Sequence, residues 1–193
     1  MKVAIIKYNA GNVQSVIYAL ERKGIEPILT DEESIIRSAD KVIFPGQGEA
    51  KTAMRYLKEK NLDKIIPDLK QPVLGICIGL QLLCKHSEEG DTQCLGVFDL
   101  KVKKFKPTSK VPHVGWNTLD NLKGSLFYGI ETDLYVYYVH SYYAETGDAT
   151  IATTNYINTF SGALQKNNFY AIQAHPEKSG IVGEKILENF LKI

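Results

Sequence analysis

The sequence predicts an α/β protein with a central, mainly parallel sheet flanked by helices and an antiparallel β extension in its second half. Three observations carry this. In the first half, short uninterrupted apolar runs alternate with segments of helical spacing, as expected for strands covered on both faces by crossover helices. In the second half, strand-like segments follow one another until a final helix. No repeat, low-complexity tract or Pro/Gly/Ser-rich linker divides the 193 residues, so a single domain over 1–193 is expected.

The elements follow in order. Val3-Ala4-Ile5-Ile6 is the first strand. Val13, Val16, Ile17 and Leu20 recur at helical spacing, and Gly24 stands where that helix stops. Glu26 to Leu29 reads as a strand, Ser34 to Ser38 as a short helix or turn, and Val42-Ile43-Phe44 as the third strand. Pro45-Gly46-Gln47-Gly48 turns the chain into a helix over Glu49 to Lys58. Pro72 to Ile76 is the fourth strand, running through Cys77 into a helix with Leu80, Leu82 and Leu83. Such alternation implies right-handed βαβ units. Val97 to Phe105, Val111 to Thr118, Leu134 to Glu145, Ala149 to Thr154, Gly162 to Gln165 and Tyr170 to Gln173 read as strands. Ile181, Ile186, Leu187, Phe190 and Leu191 mark an amphipathic closing helix.

Composition excludes several functions. With 23 Lys+Arg against 22 Asp+Glu the formal charge is +1, without the basic excess of a nucleic-acid binder. The one basic cluster, Lys101 to Lys106, alternates with apolar residues as the wet face of an edge strand would. No window approaches the ~18 apolar residues of a membrane span. Lys7 interrupts the N-terminal apolar run before a secretory core could form, so a cytoplasmic location is expected. Cys77, Cys84 and Cys94 form no CxxC pair and have no adjoining histidine run, so neither a disulfide framework nor a zinc site is expected.

Chemistry concentrates at strand ends. Gly75-Ile76-Cys77-Ile78-Gly79 lies between a strand and a helix. Small residues two places either side of a nucleophile permit the tight turn that lifts it above a sheet. The following helix favours a thiolate, and the Ile78 N–H would be one oxyanion donor. The alternative is a buried cysteine with glycines that serve packing. Gln173-Ala174-His175-Pro176-Glu177 is the second element: His175 and Glu177, two apart in extended chain, project to one side, and a carboxylate can fix an imidazole that activates a thiol. Alone, the pair also fits a strand-end histidine beside a surface glutamate. Pro45-Gly46-Gln47-Gly48 lets backbone N–H groups approach an anion, yet it matches no phosphate loop. His86 is expected to cap the elbow helix or face water. His113 and His140 are expected as core or sheet-face histidines.

Together, Gly75-Ile76-Cys77-Ile78-Gly79-Leu80-Gln81 and His175-Pro176-Glu177 resemble the triad-type (class I) glutamine amidotransferases. Four further segments narrow the resemblance to the glutaminase subunits of imidazole glycerol phosphate synthases: Tyr8-Asn9-Ala10-Gly11-Asn12, Phe44 to Glu49, His113-Val114-Gly115-Trp116-Asn117, and Tyr138-Val139-His140-Ser141-Tyr142. The resemblance implies a flavodoxin-like, class I amidotransferase fold. It implies that Cys77 attacks the side-chain amide of L-glutamine, that His175 relays the proton and that Glu177 orients His175. Ile78 and Gln47 would supply the oxyanion N–H groups, the latter after a peptide flip. Gly46, Gly48, Gln81, Ser141 and Tyr142 would bind glutamine.

The resemblance further implies a heterodimer with a cyclase subunit of (β/α)₈-barrel type, which takes the ammonia and forms imidazole glycerol phosphate in histidine biosynthesis. No cofactor and no metal are implied. Asn12, Trp116, Tyr137 and Lys178 match positions near that interface; a turn asparagine, a buried tryptophan, a core tyrosine and a solvated lysine are their other readings. Lys7 stands where the family usually has an acidic residue, Ala10-Gly11 gives one glycine fewer, and Gln47 replaces a small aliphatic residue. The competing readings are the glutaminase subunit of pyridoxal phosphate synthase, a cysteine hydrolase of the same sheet type, and a degenerate binding module.

Overall fold

A computed structural model of the chain describes residues 1–8, 13–46, 48–130 and 135–193. Its centre is a sheet of β1 (Val3–Ile6), β2 (Ile28–Thr30), β3 (Lys41–Phe44), β4 (Val73–Ile76), β11 (Thr150–Asn155), β12 (Thr159–Lys166) and β13 (Phe169–Ile172), in the order β11-β12-β13-β4-β3-β1-β2. From β13 to β2 every neighbouring pair is parallel; β12 and β11 continue the sheet antiparallel. This is the mixed α/β architecture expected from the alternation.

The continuous apolar runs are explained by burial on both faces. In β1, Val3 and Ile5 join one core while Ala4 and Ile6 join the other. The helices α2 (Glu33–Ser38), α3 (Ala50–Glu59), α4 (Leu62–Ile65) and α5 (Ile78–Leu83) cover the Ala4/Ile6 face. α1 (Gln14–Glu21) and α6 (Gly180–Lys192) cover the Val3/Ile5 face. Each residue of α5 is buried, which its unbroken Ile-Gly-Leu-Gln-Leu-Leu sequence requires.

The second half departs from the expected strands. The 97–105 segment is strand only over β7 (Lys101–Lys104). The expected 134–145 strand is β9 (Tyr135–His140) and β10 (Tyr142–Ala144), parted at Ser141, while Leu134 lies outside the described residues. The two pieces pair in different sheets: β9 with β8 (His113–Thr118), β10 with β7. β5 (His86–Ser87) and β6 (Thr92–Gln93) complete a second sheet of order β10-β7-β5-β6. The lysine-rich run therefore lies on an interior strand, not an edge: Val102 and, just beyond β7, Phe105 are buried in different cores, while the lysines stay exposed or half-buried. His86 belongs to β5 and its Nε2 lies 2.8 Å from Asp91 Oδ1, so it does not cap α5.

Candidate active site

β4 lies between β3 and β13, with Ile76 in register with Ile172. The carboxyl ends of these parallel strands therefore converge, where open α/β sheets bind ligands. Cys77 follows β4 at once, with φ 52° and ψ −107°. A non-glycine residue there carries strain of about 1–3 kcal/mol, sustained only by its surroundings. Those surroundings are tight: the Cys77 N–H donates to Ile172 O at 2.8 Å. A Cβ on Gly79 would stand 2.1 Å from Phe44 O, and one on Gly46 1.9 Å from Ile76 O and 2.8 Å from the Ile78 nitrogen. Gly46 and Gly79 thus let the end of β3 lie directly against the turn. The Tyr8 hydroxyl donates to Pro45 O and holds the same strand end; burial, then the charge on Cys77, pushes the Tyr8 pKa up.

On the other side of Cys77, His175 is clamped by its backbone. Its N–H donates to Tyr137 O (2.9 Å), and its carbonyl accepts from the Ser179 hydroxyl (2.6 Å). Pro176 opens a single 3₁₀ turn that aims Glu177 back at the ring, with Nδ1 to Oε1 2.7 Å and both side chains buried. His175 Nε2 has no hydrogen-bond partner among the described residues. Burial draws the His175 pKa down, but the Cys77 sulfur and then Glu177 outweigh it and push it up to about 10. A buried imidazolium is thus favoured beside a cysteine and a carboxylate.

These groups line a cleft of about 500 Å³. The expected residues Gly46, Gly48, Cys77, Ile78, Gln81, Ser141, Tyr142 and His175 line it, as do Tyr137 and Lys178. Glu177 lies behind His175. Gln47 and Asn12 are outside the described residues. Trp116 is not core: it is 55% exposed on the outer face of the β8–β9 ribbon, edge-to-face with Tyr137 at 5.9 Å. Val114, Val139 and Tyr135 are exposed on the same ribbon.

Sequence reasoning missed four cleft residues, Glu89, Pro112, Val139 and His140, and one contact. Glu89, on the β5–β6 turn, brings a carboxylate to the cleft; its Oε2 accepts from the Ala50 N–H at 2.8 Å, and burial raises its pKa. His140 also lines the cleft. Its Nε2 lies 3.0 Å from His113 Nδ1, and burial holds both neutral, with pKa values down to about 3 for His140 and about 4 for His113. The contact is from Gln173 Nε2 to Cys77 Sγ, at 3.6 Å. Cys84 and Cys94 lie away from the cleft and are buried, which pushes the Cys94 thiol up to about 12 and the Cys84 thiol up as well. Among the described residues no cluster of three metal-ligating side chains occurs, and no helix is long and apolar enough to cross a membrane.

An elbow cysteine beside a His–Glu pair on this sheet is the arrangement of a thiol-dependent acyl transferase or hydrolase. The family model of class-I glutamine amidotransferases matches residues 4–193, and the chain belongs to that family. It is 57% identical, over 196 aligned positions and the whole of both chains, to imidazole glycerol phosphate synthase subunit HisH of Bacteroides fragilis. It is 42% identical to the protein of the same name in Idiomarina loihiensis, covering all of this chain and 98% of the other. Among solved structures it resembles a glutamine amidotransferase (TM-score 0.77, 18% identity, 98% and 97% covered). It also resembles one from Thermotoga maritima (TM-score 0.67, 18% identity, 100% and 83% covered). At these identities the structural likeness speaks to the fold.

Proposed function

We propose that the chain is a glutaminase that hydrolyses L-glutamine to glutamate and ammonia as one subunit of an imidazole glycerol phosphate synthase. The observation that carries the chemistry is Cys77 on a positive-φ turn in one cleft with the buried His175–Glu177 pair. The full-length identity to proteins named as subunits of that synthase supports the pathway. Residues 1–193 act as one domain, without metal or cofactor, in the cytoplasm.

Cys77 Sγ attacks the amide carbon of the glutamine side chain. The oxygen takes up negative charge between the Ile78 N–H and an N–H of the Gly46–Gly48 strand, proposed to be that of Gln47. The tightness of Gly46 against the Ile78 nitrogen supports that pairing. His175 gives its proton to the departing nitrogen, ammonia leaves, and a glutamyl thioester remains. Water, deprotonated by His175, then displaces the sulfur and yields glutamate. Glu177 holds His175 in the tautomer that presents Nε2 to these steps.

The cleft fits an amino acid. Gln81 donates from Nε2 to Tyr142 O (2.9 Å) and Gln173 Oε1 (3.1 Å), which commits its amide hydrogens and leaves Oε1 to accept. That acceptor and the Glu89 carboxylate suit the α-ammonium of glutamine, while Gly48, Ser141 and Tyr142 frame the rest. The partner is proposed to be a cyclase of (β/α)₈-barrel type, docked on the exposed Val114, Trp116, Tyr135 and Val139 face. An apolar face at the rim of a catalytic cleft suits an interface that keeps ammonia from water. Tyr137 and Lys178 lie where that face meets the cleft.

Glutamate formation measured with and without a cyclase subunit and its nucleotide tests this. Hydrolysis is expected to rise more than about tenfold on addition of both, with glutamine-dependent formation of imidazole glycerol phosphate. Turnover indifferent to a cyclase, but answering to a pyridoxal phosphate synthase partner, would reassign the pathway and leave the glutaminase chemistry standing.

A further inference from the structure

We propose that Gln173 is the positioning residue of the nucleophile, its side-chain N–H holding the Cys77 sulfur as a thiolate. The proposal rests on the reading of Cys77 as the reactive cysteine, and its support is a chain of hydrogen bonds with only one consistent assignment. An amide side chain can be turned over, exchanging donor and acceptor, so its direction must come from its partners. Here it comes from a backbone carbonyl, which only accepts. Tyr142 O lies 2.9 Å from the Gln81 amide, so Gln81 must present its NH₂ there. The second hydrogen of that NH₂ meets Gln173 at 3.1 Å, so Gln173 must present Oε1 to it. Gln173 Nε2 is then left facing Cys77 Sγ, 3.6 Å away.

Two further observations support this direction. Tyr142 O also receives His140 Nδ1 at 2.7 Å, which requires a proton on Nδ1 and leaves Nε2 to accept from His113. The carbonyl that sets the Gln81 amide is thus held from its other side by a neutral, buried histidine pair. Gln173 is fully buried, and the Cys77 sulfur is the partner of its Nε2 among the described residues, so withdrawing the sulfur would orphan a buried donor. The sulfur also faces the His175 ring, whose pKa it raises, and Val139 O at 4.0 Å; that carbonyl is an acceptor that suits the thiol but not the thiolate. Gln173 therefore distinguishes the two forms of Cys77 and favours the charged one.

The test is the pH dependence of iodoacetamide alkylation at Cys77, followed by peptide mapping on the whole folded chain, for wild type, Gln173→Met and Gln173→Glu. Gln173→Met removes the donor at similar volume. Gln173→Glu keeps an acceptor for Gln81 and turns an oxygen on the sulfur, so it remains informative if the methionine variant does not fold. The alkylation rate at neutral pH is expected to fall about tenfold, the size expected for a hydrogen bond to a charged group. Its profile moves to higher pH, more for Gln173→Glu, and kcat for glutamine falls, with KM unchanged in Gln173→Glu, which keeps the acceptor for Gln81. A reactive Cys77 whose rate and profile match wild type in both variants overturns the proposal alone. A wild-type Cys77 that resists iodoacetamide overturns the reading of the site together with it.

Discussion

Replacing Cys77 with serine is expected to lower glutamine hydrolysis by at least about 10⁴-fold, the scale seen when a nucleophile acting as part of a unit is removed. Serine has nearly the same shape and accepts the same backbone, so the turn at φ 52° survives. What it lacks is acidity: an alkoxide at neutral pH is far scarcer than a thiolate. His175 would then have to take its proton from a hydroxyl far less acidic than a thiol. The fold should be untouched, with the far-UV spectrum of wild type and Tm within a few degrees. Ammonia release measured alongside these controls separates lost chemistry from lost structure.

Gly46→Ala is expected to do the opposite, harming fold and activity together. Its Cβ would sit 1.9 Å from Ile76 O and 2.8 Å from the Ile78 nitrogen, both backbone atoms of the turn that carries Cys77. No rotamer relieves a backbone clash, so β3 must part from the elbow. Overpacking of this kind costs about 1–3 kcal/mol or more. In a chain of this size that lowers Tm by roughly 3–10 °C. Because Gly46 lies against the nitrogen proposed to hold the oxyanion, kcat should fall by about 100-fold or more. Thermal unfolding and steady-state kinetics on one preparation check both. A variant with wild-type Tm and kcat would mean that the strand end is free to move away.

Where a feature depends on neighbouring residues, the sequence was readable. β1, β3 and β4 are continuous apolar runs because helices cover both faces, and Gly75-Ile76-Cys77-Ile78-Gly79 is a turn whose glycines can be assigned from spacing alone. Where a feature depends on distant chain, it was not. Nothing local breaks Tyr135 to Ala144 at Ser141; the break exists because β9 and β10 join different sheets. β5 and β6 have two residues each, too short for an alternating pattern.

The site divides the same way. Cys77, His175 and Glu177 announce themselves by motif. Glu89 reaches the cleft only because the β5–β6 turn packs on the start of α3. The contact of Gln173 with Cys77 depends on an amide direction set by a carbonyl on a third strand. Trp116 could be assigned to core or surface only once β8 was seen to pair with β9 and leave its outer face bare.

The central claim is that Cys77 forms a covalent bond to the side-chain carboxamide carbon (Cδ) of glutamine. Its most direct measurement is covalent labelling by a glutamine analogue that carries an electrophile at that carbon, read by mass spectrometry of the digested chain. One label per chain on the Cys77 peptide is expected, prevented by excess glutamine and by Cys77→Ser, with the buried Cys84 and Cys94 unmodified. Inactivation accompanied by a label elsewhere, or glutamine turnover that continues with Cys77 fully labelled, would contradict it.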